Sequence, residues 1–281
     1  MPLASTRLHR YRARFACGVR CVNLSDLLAA ADIGEGSASM SIGDDWLQGR
    51  SLFGGIQAAV GWCAMRTLVP PAMPLRTLQM TFIEPVAAGT VSAKARVLRA
   101  GKNTVHVEAR LDDGGKLQAT LIAVFGSARA SVVRHDLPAA AAKAFDKPFR
   151  YTPGVTPSFM QQFDISLIDG APPFANAQAT RASYELSLRD PGPITEGHLL
   201  VIADFVPPVA LSWMSKPSPG SSLTWMFEML TEDFAKYPLA GWRADAQMIA
   251  ARDGYTSQST TLSAPDGTAI ALSRQSMVVF G

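Results

Sequence analysis

The chain has 281 residues, 48% of them hydrophobic and 17% charged, which supplies a sizeable core and argues against wholesale disorder. The net charge is +3, yet five arginines (Arg7, Arg10, Arg12, Arg14 and Arg20) crowd the first twenty residues, where no acid occurs. Taking those five charges from +3 leaves −2 on the rest, so the body shows no basic face of the kind a nucleic-acid binder carries, and no nucleic acid is expected as a partner.

In chain order, residues 1–22 read as a disordered or spurious extension. They contain no apolar run of signal-peptide type, and nowhere is there a stretch long enough for a membrane span. Organised sequence is expected from Asn23. A first unit over residues 23–126 holds an apolar helix from Ile56 to about Leu68, ended by Pro70 and Pro71. Four strands follow, over 76–83, 90–98, 104–111 and 117–125, and Asp113-Gly114-Gly115 marks the last hairpin. Residues 127–150, with a run of four alanines from Ala139 to Ala142, read as a linker.

A second unit over residues 151–281 repeats this order. Thr195 is a plausible N-cap for an apolar helix over 197–206, and strands are expected over 222–230, 241–251, 256–263 and 268–280. Again an Asp-Gly pair, Asp266-Gly267, precedes the last strand, and the units close alike, Ala123-Val124-Phe125-Gly126 against Val278-Val279-Phe280-Gly281. This order points to an internal duplication. A helix apolar all round must be buried, so each unit is expected to be α+β, a helix packed on an antiparallel sheet.

Three cysteines, Cys17, Cys21 and Cys63, make an odd number, which argues against a disulfide framework and fits a reducing, cytoplasmic setting. Cys63 reads as a small core residue. No metal-site spacing, phosphate loop or dinucleotide fingerprint occurs, and no metal or cofactor is expected. His198, in the first turn of its helix, reads as a satisfied or solvent-facing histidine.

Asp204 is the most informative residue. It stands between Val201-Ile202-Ala203 and Phe205-Val206, with Pro207-Pro208 ending the helix. Burial and the negative helix end would both raise its pKa toward the range of a general base. An aspartate that merely bonds backbone amides freed at the kink is the open alternative. Gly54-Gly55, ahead of the first helix, offer amides to an oxygen gaining negative charge, or simply a tight turn into a closely packed helix.

Arg50-Ser51-Leu52-Phe53-Gly54-Gly55-Ile56-Gln57 and Leu78-Gln79-Met80-Thr81-Phe82-Ile83-Glu84-Pro85 resemble the first half of acyl-CoA thioesterase II-like proteins. Ala203-Asp204, Ser221-Ser222-Leu223-Thr224-Trp225 and Arg274-Gln275-Ser276 resemble the segments where that family places an aspartate, a hydroxyl and a glutamine. The resemblance implies a double hotdog fold and hydrolysis of an acyl-CoA substrate. Asp204 would be the base, Ser222 and Gln275 would orient the water, and amides around Gly54 and Gly55 would bind the thioester oxygen. Thr224 is a second candidate for the hydroxyl, since strand alternation puts it on the face of Ser222. Phe227-Glu228-Met229-Leu230 departs from the family's phenylalanine-histidine-arginine stretch.

Two other functions compete: non-catalytic acyl-CoA or lipid binding, and hydration or dehydration of an acyl-CoA. The latter is disfavoured because Asp204-Phe205-Val206-Pro207 lacks the asparagine and nearby histidine of hydratase-like hotdogs. By the same resemblance a homo-oligomer is expected, which would also cover free sheet edges.

Overall fold

The computed structural model describes residues 21–280. Cys17, Gly281 and all but the last two residues of the expected 1–22 extension lie outside that range. Asn23 starts helix α1 (Leu24–Ala29), its side chain accepting the Asp26 N–H at 2.8 Å. Strands β1 (Asp32–Gly34) and β2 (Ser37–Ile42) follow, then a two-strand ribbon of β3 (Leu47–Gln48) and β4 (Ser51–Leu52). Helix α2 (Gly54–Arg66) comes next, apolar all round and almost wholly buried. Strands β5 (Leu75–Phe82), β6 (Gly89–Ala100), β7 (Thr104–Asp113) and β8 (Lys116–Gly126) complete the first half.

The second half contains β9 (Lys147–Phe149), β10 (Phe163–Gly170), β11 (Arg181–Leu188) and helix α3 (Glu196–Ala203). It ends with β12 (Gly220–Met229), β13 (Trp242–Arg252), β14 (Tyr255–Ser263) and β15 (Ala269–Val279). All but the β3–β4 ribbon join one antiparallel sheet of thirteen strands, ordered β1-β2-β6-β7-β8-β5-β12-β15-β14-β13-β11-β10-β9. The second half thus repeats the first in reverse about the β5–β12 pair. No helix among the described residues is long and apolar enough to cross a membrane.

Irregularities of register repeat as well. One β-bulge separates Leu75 from Thr77 where β5 pairs β8, and another separates Ser222 from Thr224 where β12 pairs β15. These bulges make Leu75 the counterpart of Ser222, Ala123 that of Gln275, and Gln79 that of Met226. Gln79 and Met226 face each other directly across the β5–β12 seam, as a twofold axis through that pair requires.

Several elements depart from the sequence expectation. β1 to β4, β10 and β11 were not anticipated, although β10 alternates cleanly, with Phe163, Ile165 and Leu167 buried. The segment 127–150 is not wholly a linker. Its end forms β9 on β10, and the Ala144 and Phe145 amides donate to the Ile168 carbonyl.

Helices α2 and α3 cross antiparallel between the halves. Gly55 lies against Val201, and Gly197 against the Trp62 ring. Glu196 closes one end of the crossing, accepting the Trp62 indole N–H at 2.7 Å and the Leu75 amide at 2.6 Å. A Cβ on Gly55 would stand 2.8 Å from Val201 Cα and 2.7 Å from Phe53 Cε1, closer than real Cβ contacts come. Gly55→Ala is therefore expected to destabilise the protein by about 1–3 kcal/mol through overpacking, seen as a lower urea midpoint at unchanged m-value.

Candidate active site

Helix α3 begins with a capping box: the Thr195 hydroxyl accepts the His198 N–H, and His198 Nδ1 accepts the Thr195 N–H at 3.2 Å. Because Nδ1 accepts, the ring proton sits on Nε2, which faces Asp190 Oδ2 at 3.3 Å and Ser25 Oγ at 3.2 Å. A serine and an aspartate that share one ring nitrogen do not form a proton relay. His198 is a buried, satisfied histidine that ties α1 to α3, one of the two alternatives raised by its position.

The helix ends at Asp204, its C-cap, whose backbone N–H bonds the Leu200 carbonyl at 3.2 Å. The side chain turns away from its own helix toward the first turn of α2. There Oδ2 lies 2.6 Å from where a Cβ on Gly54 would be, and the Gly55 amide is near enough to draw the carboxyl's pKa down. Phe53, the N-cap of α2, makes no side-chain cap of its own, and the aspartate comes to this helix end from the other half of the chain. Phe53 stacks on Phe159, ring centroids 4.1 Å apart, and Phe159 meets the Phe205 ring edge-on. Both sides of the contact are thereby wedged in aromatic packing.

Gln275 on β15 donates its amide N–H to Asp204 Oδ1, and its carbonyl accepts from Ser222 Oγ at 3.5 Å. Burial pushes the Asp204 carboxyl up to about 7, although the bond from Gln275 and the nearby Gly55 amide pull the other way. The expected elevation is thus present, with burial as its cause. The helix dipole acts against it here, because the carboxylate faces the positive end of α2.

Asp204, Gln275 and Ser222 come together, but Thr224 does not join them. The bulge after Ser222 reverses the alternation, so Ser222 turns inward while Thr224 is exposed, opposite Thr81. The expectation that both share one face is overturned by that extra residue. The Gly55 amide lies beside the Asp204 carboxyl. The Gly54 amide, whose place in the first turn gives it no partner within the helix, borders a cleft of about 210 Å³ lined also by Ser222, Gln57, Phe82 and Pro85. Met80, Trp225 and Phe227 are buried in the core, and Trp213 is exposed, its indole bonded to the Ala179 carbonyl.

Sequence reasoning missed two buried glutamines. Gln57 donates to the Leu52 carbonyl at 2.6 Å and lines the cleft. Gln258 on β14 is the cross-strand partner of Gln275. The phase of β14 held the signal, since Gln258 stands an even number of residues before buried Leu262. Cys63 is buried, its thiol pushed up to about 12 by burial, in keeping with a core role.

A family model described as the acyl-CoA thioesterase N-terminal domain matches residues 42–126, and one described as the acyl-CoA thioesterase C-terminal domain matches residues 134–279. Among solved structures, a conserved hot dog protein of unknown function from Alicyclobacillus acidocaldarius superposes with a TM-score of 0.81 at 20% identity, covering 92% of this chain and 99% of that one. A putative thioesterase II from Thermobifida fusca gives 0.75 at 16% identity over 94% and 100%. The acyl-CoA thioesterase II TesB2 from Mycobacterium marinum gives 0.67 at 15% over 91% and 97%. Comparison with curated proteins by sequence finds no significant match. The fold is a double hotdog of α+β class, as the resemblance implied.

A carboxyl that titrates near 7 in the fold, against its ordinary 3.8, is a linkage statement. The folded state holds the proton to higher pH than the unfolded chain does. Stability from this group is therefore full below about pH 4 and is lost as pH rises toward about 7. Asp204→Asn removes that loss. Its stability relative to the parent is expected to increase between about pH 4 and pH 8 by on the order of 4 kcal/mol, measured by urea unfolding of both proteins across the range.

Proposed function

The chain belongs to the acyl-CoA thioesterase family, and from that premise we propose that it hydrolyses an acyl-CoA thioester to the free acid and CoA by means of a water activated at Asp204. The observation that carries this reading is the buried chain Asp204–Gln275–Ser222, whose serine lines the cleft together with Gly54 at the N-terminus of α2. A carboxylate whose pKa lies near 7 is half ionised at neutral pH and is matched to taking a proton from water.

The thioester carbonyl enters the cleft with its oxygen toward the first turn of α2, where the Gly54 amide and the positive helix end stabilise developing charge. Asp204 takes a proton from a water held by Gln275 and Ser222, and the oxygen of that water bonds to the carbonyl carbon. The tetrahedral intermediate then collapses, the C–S bond breaks, and the CoA sulfur leaves with the proton returned by Asp204. Gln275 is poised between both partners: its N–H holds the carboxylate in place, and its carbonyl fixes the serine hydroxyl.

The same reading includes association into a homo-oligomer and a cytoplasmic setting. Exposed Val97, Leu98, Ile122 and Ile249 on the sheet strands support the former, because apolar surface gains by being covered.

Release of free CoA from short, medium, long and aryl acyl-CoAs, followed with a thiol reagent, tests the proposal. Turnover is expected on part of the panel, with kcat/KM falling as pH drops below about 7, where Asp204 takes up its proton. Asp204→Asn is expected to lower kcat by roughly 10²-fold or more. A folded protein that binds acyl-CoA and releases no CoA from any of them would instead be a binding protein.

A further inference from the structure

Pro207 and Pro208 follow Asp204 by three and four residues, so the chain leaves α3 through a turn with few hydrogen-bonding groups. Neither proline has an N–H to donate. The groups that can anchor this turn are its carbonyls and the amide of Val209, and one side chain takes both kinds. Gln258 Oε1 accepts the Val209 N–H at 2.8 Å, and its Nε2 faces the Pro207 carbonyl at 3.5 Å. The orientation of this amide is forced, since a peptide N–H only donates and a peptide carbonyl only accepts.

Gln258 is 3% exposed and stands directly across from Gln275, on the same inward face of the sheet. Two neighbouring glutamines therefore hold the Asp204–Val209 segment at two points. Gln275 grips the carboxylate, and Gln258 grips the backbone just beyond it.

The duplication supplies a control. In the first half, the counterparts of Gln275 and Gln258 are Ala123 and Val107, which pair with each other across β7 and β8 and are fully buried. The sheet therefore packs well with small apolar residues at both places. The switch to glutamine at both occurs only in the half that carries the buried carboxylate, and the strand itself does not require it.

We infer that Gln258 is a positioning residue for hydrolysis, clamping the Pro207–Val209 turn so that the Asp204 carboxylate stays aimed at the water held by Gln275. The inference rests on the thioesterase reading above. The aspartate is fixed at its α3 end by a helix of two turns, and beyond it this clamp acts together with the packing of buried Phe205, Val206 and Val209. With the clamp gone, the carboxylate can drift from its in-line position, and displacements of an ångström at a reacting group carry large rate penalties.

The test is a double-mutant cycle on the full chain with the acyl-CoA that the protein turns over fastest. Gln258→Met keeps the length of the side chain and removes both hydrogen bonds. It is expected to lower kcat roughly 10- to 100-fold while KM stays within about twofold, because substrate contacts are unchanged. In the Asp204→Asn background the same substitution is expected to leave the residual rate unchanged, since the group it positions is already gone. Gln258→Asn, which reaches only one of the two partners, should give a smaller loss and serves the same cycle if the methionine variant fails to fold. Unaltered kcat in these variants would overturn the inference. So would an equal loss in both backgrounds, which is what a general packing defect produces. In either case, the parent's turnover and its loss in Asp204→Asn would leave the thioesterase reading standing. A parent that hydrolyses no thioester overturns that reading, and the positioning role with it.

Discussion

Everything at the candidate site follows from one contact: the C-cap residue of α3, Asp204, brings its carboxylate to the first turn of α2. An ionised carboxylate taken out of water is costly unless it is paired or hydrogen-bonded. Here the compensation comes from a helix N-terminus that has no cap of its own. The arrangement explains why the entry to α2 must be Gly54-Gly55. A Cβ on Gly54 would strike the carboxylate, and one on Gly55 would strike the backbone of α3. It also explains the elevated pKa, because the bond from Gln275 and the nearby Gly55 amide only partly offset burial.

The sheet brings the remaining groups to that contact through a defect in its regularity. Without the bulge after Ser222, simple alternation would point Leu223 inward with Trp225 and turn the serine to solvent. With it, the serine reaches Gln275. The first half has the same bulge and fills it with Leu75. The bulge is thus a property of the scaffold, and the chemistry lies in which side chains the second copy sets upon it.

Much of this was legible beforehand, for physical reasons. Apolar runs too long to stay exposed announced both major helices, and Asp-Gly turns fixed the last hairpin of each half. Asp204 stood out because a lone acid in Val201–Val206 demands an explanation. What stayed hidden depended on partners distant in sequence. No local pattern says that the entry to α2 meets an aspartate from the other half, or that Thr224 is on the opposite face from Ser222, since a bulge leaves little mark on composition. The short strands β1, β3 and β4 carry two or three residues each, below the length at which alternation is readable. Gln258 was accessible in principle, because Leu262 sets the phase of its strand. A polar residue in a strand rich in serine and threonine simply attracts no notice.

The twofold relation through Gln79 and Met226 has an evolutionary consequence. Two separate identical subunits joined at this seam would have to carry every residue twice, so each buried carboxylate and each inward glutamine would weaken the assembly at two places. Joining the copies into one polypeptide removes that obligation. Selection can then act on the halves separately, so that one fills these places with Leu75, Val107 and Ala123, which consolidate the core, while the other sets Ser222, Gln258 and Gln275 at the same places.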